Sequence, residues 1–188
     1  MDTFCPKNKE EWRNWLRENH LTKESIWLIM HKKNSPTPNL NWSEAVDQAL
    51  CFGWIDSTIR PIDDIKYKHY YTRRKPKSHW SKINKDKVKV LMEQGLMEEA
   101  GLRSIEIAKE NGSWTFLDDV EALEVPEDLN KAFSKHKGSR KYYDGLSNSL
   151  KKQFLFWVKS AKRAETRQKR ILEIVECASR GVKPKVFG

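Results

Sequence analysis

The most constraining feature of this chain is a change of local pattern at one glycine. Asn41 stands three residues before Glu44, the spacing of a reciprocal helix cap, and Trp42, Ala45, Val46, Ala49, Leu50 and Phe52 then build one apolar face. Gly53 stops that helix, because glycine enters the left-handed turn at a helix end without a Cβ penalty. Residues 54–60 and 66–74 are rich in Ile, Tyr and Thr, and Pro61, Ile62, Asp63 and Asp64 separate them, which predicts a β-hairpin with a polar turn. Strands arriving after a helix give an α+β fold, here a small antiparallel or mixed sheet packed with helices.

The flanking segments extend this pattern. Trp12, Trp15 and Leu16 share a helical face over residues 10–20, with Asn8 before Glu11 as its cap. Residues 25–32 predict a short buried strand, followed by a loop over 34–38. Helices are predicted from Trp80 or Ser81 to Gly95 and over 98–110. The acidic stretch 118–127 reads as a loop, and Pro126 opens a short helix through Phe133. Beyond Ser147 the apolar spacing marks a helical hairpin that stops at Gly181, with a frayed tail around Lys183 and Lys185. The chain thus divides into an α+β region, 1–115, and a helical region, 116–188, expected to pack as one unit.

Eight tryptophans in 188 residues require a folded interior. No run approaches the roughly 20 apolar residues of a membrane span, and the N-terminus lacks the apolar core of a secretory signal. The reading is therefore a cytoplasmic protein without membrane insertion, and nothing in the pattern fixes an oligomeric state. Cys5, Cys51 and Cys177 are scattered, with no CxxC or histidine spacing for zinc, and Cys51 and Cys177 suit helix interiors. No metal or cofactor is implied.

Charge is segregated along the chain. Residues 60–90 carry 11 basic and 3 acidic side chains, 91–135 carry 4 and 11, and 136–188 carry 14 and 4. Basic blocks of this kind attract anions unless the acidic block neutralises them within the fold. The densest constellation, residues 53–84, holds Trp54, Asp56, Arg60, Arg73, Arg74, Lys77, Trp80, Ser81 and Asn84. Cations ahead of a helix N-terminus suit a phosphate or carboxylate, so this segment is a candidate surface for an anionic ligand or nucleic acid. The plainer reading makes Trp54 and Trp80 core anchors, pairs Asp56 with an arginine and leaves the lysines solvated.

The second block offers Arg163, Arg167 and Arg170 near Phe156 and Trp157, a pattern that can grip phosphates and stack on bases. Its plainer reading pairs Glu165 with an arginine and caps the last helix with Thr166. His79 has Ser78 and Ser81 beside it, but a base and a nucleophile must meet in space, so no catalytic residue is assigned and enzyme activity stays open. Asp63 and Asp64 suit either a cation or a turn.

Separated motifs also resemble a known family. Trp27, Lys32 and Lys33, residues 49–56, residues 73–81 with Asn84, Gly95, Met97, Gly101 and Leu102, then Trp157, Ala161, Lys162, Glu165, Thr166, Arg167, Arg170 and Ile171 are similar to the YdeI/OmpD-associated, or bacteriocin-protection, proteins. The resemblance implies a link to bacteriocin protection and brings no catalytic residue. Two functional readings follow. One is binding of an anionic partner through 53–84 with Arg163, Arg167 and Arg170, and the alternative is a small-molecule enzyme or ligand-binding protein with a pocket of Trp54, Asp56, Arg60, Trp80 and Ser81.

Overall fold

The computed structural model describes residues 2–37 and 39–188 and divides into two compact units, Met1–Phe116 and Leu117–Gly188. The first unit runs β1 (Thr3–Phe4), α1 (Lys9–Asn19), β2 (Ser25–His31), α2 (Trp42–Cys51), β3 (Trp54–Pro61), β4 (Lys66–Arg73), α3 (Lys82–Glu93) and α4 (Glu99–Glu110). Its strands form a mixed sheet in the order β1-β2-β4-β3, with β1 parallel to β2 and the other pairs antiparallel. The fold is α+β, with its sheet in the N-terminal half.

Local chemistry explains the elements. Asn8 accepts from the Glu11 amide at the start of α1, and Asn41 and Glu44 cap α2 reciprocally. Each such cap stabilises by about 1 kcal/mol. Alternation along the strands turns Ile26, Leu28 and Met30 of β2 and Tyr71 of β4 toward Trp12 and Leu16 of α1. Trp12 Nε1 donates to the Ala45 carbonyl at 3.0 Å, tying α1 to α2. The opposite sheet face carries Trp27 against Tyr70, its register partner, with ring centroids 4.8 Å apart. Asp63 accepts from the Ile65 and Lys66 amides, so its carboxylate builds the hairpin turn. Of the loop expected over 34–38, Pro38 lies outside the described residues.

Two glycines permit a backbone contact that shapes the next feature. A Cβ on Gly101 would sit 2.2 Å from the Cys51 carbonyl oxygen, and one on Gly53 (φ +70°) would sit 2.8 Å from that of Ala100. The first turn of α4 therefore rests on the end of α2, and Glu98 N donates to Cys51 O at 3.0 Å.

The second unit is helical: α5 (Asp118–Glu121), α6 (Glu127–Lys135), α7 (Ser139–Asp144), α8 (Asn148–Lys159) and α9 (Ala164–Ser179), then a 3-10 turn, Lys185–Phe187. Leu129, Phe133, Tyr143, Phe154, Val158 and Ile174 form its core. The acidic stretch expected to be a loop begins with α5, because Val120 supplies a buried anchor. The tail is not frayed: Phe187 packs 4.7 Å from Phe154 and 5.4 Å from Trp157, and Pro184 is buried. Cys51 and Cys177 are buried free thiols.

Candidate functional site

The residues singled out over 53–84 go to different places. Trp54 and Trp80 are buried anchors, Trp54 meeting Trp15 edge-on at 5.8 Å and donating through Nε1 to the His20 carbonyl. Asp56 is not paired with an arginine: it accepts from Trp42 Nε1 at 3.0 Å and lies 3.1 Å from Nε2 of the buried His69. Burial pushes its carboxyl up, but the His69 and Trp42 contacts outweigh burial and hold it below the usual range. Arg60 lies over Trp27 on the other sheet face, 5.5 Å from the ring centroid. Ser81 caps α3 by accepting from the Asn84 amide, His79 stacks on Phe116 at 3.9 Å, and Lys77 is exposed. Asp56 thus meets His69 and Trp42, while Arg60 lies over Trp27 on the other sheet face.

Arg73 and Arg74 do converge with others. The chain leaving β4 is pinned by Arg73 N to Glu24 O, Arg74 N to Gly53 O at 2.8 Å, and Asn111 Nδ2 to Pro76 O at 2.8 Å. The Arg74 guanidinium lies 3.7 Å over the Trp80 ring and donates from Nη1 to the His79 carbonyl. Its Nε and Nη2 are buried with no protein hydrogen-bond partner. Burial pushes its pKa down to about 10, with the Asp56 charge acting the other way. Arg73 touches the exposed Glu24 carboxylate, while its Nε is also buried and unpartnered. Both arginines line a groove of about 510 Å³ with His20, Phe52, Lys75 and Arg103, its wall completed by Ala100 and Gly53 at the glycine contact.

Arg103 and His20 lie outside the segment singled out by the sequence, whereas Lys75 lies within it. Arg103 stands three residues before Glu106, the spacing of an ordinary surface pair, and it makes that pair at 3.2 Å. Only the fold shows that its other side faces the groove.

In the second unit the arginines are engaged locally. Arg167 donates to both oxygens of Asp128, at 2.6 and 2.9 Å, and Arg170 bonds Ser160 Oγ and the Trp157 carbonyl. Glu165 pairs with Lys169 rather than an arginine. Thr166 lies inside α9, whose N-cap position is held by the exposed Arg163 without a side-chain cap bond.

A family model described as a domain of unknown function, DUF8412, matches residues 4–104. The chain belongs to the DUF8412 family. A second model, described as "Bacteriocin-protection, YdeI or OmpD-Associated", matches residues 122–181, so a YdeI/OmpD-associated domain follows. That match is narrower than the resemblance read from the sequence, whose motifs up to Leu102 fall in the DUF8412 range. No curated protein and no solved structure matches the chain. Every groove cation lies within the DUF8412 match, and Arg163, Arg167 and Arg170 lie within the YdeI/OmpD-associated one. Among the described residues no helix is long and apolar enough to cross a membrane.

Proposed function

We infer that the DUF8412 unit binds a small anion, a phosphate or carboxylate, in the groove between Arg73, Arg74, Lys75 and Arg103. One observation carries the reading: Arg74 holds a buried guanidinium edge, Nε and Nη2, with no hydrogen-bond partner in the protein, and the same side chain lines a cavity with three further cations. Buried polar groups are ordinarily satisfied, and a guanidinium edge matches the paired oxygens of carboxylate and phosphate. Trp80 beneath the ring plane and the His79 carbonyl fix the fork, so little entropy is lost when an anion arrives.

Titration of the full chain with inorganic pyrophosphate by calorimetry tests it. Saturable binding that weakens with salt and is at least about ten-fold weaker in Arg74→Met is expected. Absence of binding at low salt, or equal binding by the variant, defeats the reading. A cytoplasmic setting suits such a ligand. The family description of the second unit motivates a role in bacteriocin protection as well, checked by comparing survival of bacteriocin-challenged cells with and without the protein.

A further inference from the structure

Residues 73–76 line two cavities. One is the groove just described, and the other, of about 510 Å³, is lined by the same four residues with Glu24, Ser25, Tyr70 and Thr72. The cations are shared, but the remaining walls differ. The second cavity is bounded by an aromatic side chain on the sheet face away from α1.

That aromatic wall is held in place. Tyr70 donates from its hydroxyl to Ser25 Oγ at 2.7 Å, and its ring leans on Trp27. Trp27 is in turn covered by Lys68, 4.8 Å from its ring centroid, and by Arg60. Trp27 is 6% exposed, whereas Tyr70 is only half-buried and reaches the cavity. The arrangement is a fixed π surface backed by a second ring, next to the exposed Lys75 and to Arg73 and Arg74, which carry buried N–H groups without partners. A free phosphate would use these cations and leave the π surface idle.

We propose that the ligand is a nucleotide, with its phosphate seated on Arg73, Arg74 and Lys75 and its base stacked on Tyr70. This rests on the anion-binding reading and adds the base. Glu24 contacts Arg73 but its side chain is 84% exposed, so it moves aside into water when phosphate takes its place. Stacking of a base on an aromatic side chain is sequence-tolerant, so the site discriminates for a base over none more than between bases.

The test compares AMP with ribose 5-phosphate, which has the same phosphate and sugar and no base, by calorimetry on the full chain. AMP binding about ten-fold tighter is expected, within the lower half of what one base stack supplies. Tyr70→Phe keeps that preference and Tyr70→Leu abolishes it, with thermal unfolding confirming that both variants are folded. Inorganic pyrophosphate competes with AMP. If ribose 5-phosphate binds as tightly as AMP, the nucleotide proposal falls while anion binding stands; if neither they nor pyrophosphate bind, both fall. Should Tyr70→Leu not fold, the wild-type ratio alone decides, and a ratio near one overturns the proposal. Binding of a single-stranded oligonucleotide with no binding of AMP also overturns it.

Discussion

The two arginine-rich segments differ in what their guanidinium groups meet. In the second unit Arg167 reaches Asp128 with two hydrogen bonds and Arg170 is bonded to Ser160 and a carbonyl, so both charges are spent on joining α9 to its neighbours. In the first, Arg74 is stacked over Trp80 and has one carbonyl partner and two buried, unpartnered nitrogens. Similar residues at similar density give a structural clamp in one place and a candidate receptor in the other. The number of cations does not separate these outcomes; whether the guanidinium nitrogens find partners within the protein does, as they do at Arg167 and do not at Arg74.

Five experiments break or sharpen this contrast. The largest effect is expected at the glycine contact under the groove: Gly101→Ala drives a Cβ into the Cys51 carbonyl and should cost at least about 3 kcal/mol in denaturant unfolding. Gly181→Ala, at φ +71° with open space around it, should cost only about 1 kcal/mol from its backbone conformation. Next, Arg74→Met should weaken pyrophosphate binding at least about ten-fold, the value of a charge-assisted hydrogen bond, while stability moves by less than about 1 kcal/mol. A large stability loss with unchanged affinity would make Arg74 a clamp like Arg167.

Arg167→Ala should do the reverse, lowering stability by about 1–2 kcal/mol, read by chemical denaturation, with pyrophosphate affinity intact. The smallest effect is in acid. The hydrogen bonds and charge of Arg167 hold the Asp128 carboxyl below its ordinary value near 3.8. A depressed carboxyl contributes stability above its unfolded pKa that is lost as pH falls through the lower folded value. The stability gap between the wild type and Arg167→Ala should therefore be full at pH 7 and close below about pH 4.

The elements of the fold were readable where local chemistry decides them. The Asn41 and Glu44 cap, the stop at Gly53 and the hairpin around Asp63 each rest on contacts within a few residues, and each is present. The short α7 and the two-residue β1 were not readable, since neither is long enough to show a period. Asp56 was expected beside an arginine because arginines crowd its neighbourhood in sequence, yet β3–β4 pairing and the position of α2 give it His69 and Trp42 instead.

The candidate site divides the same way. The sequence by itself determined that the segment around residues 73–80 combines cations with a tryptophan and that α+β structure surrounds it, because composition and short-range period are properties of the chain alone. Only the tertiary structure decided which cations act together. Lys75 and Arg74 meet Arg103 and His20 across separations of tens of residues through the Gly101–Cys51 approach, a contact set by the packing of α4 on α2. Whether a buried guanidinium finds a carboxylate is a question of distance in space, and sequence distance carries no information about it.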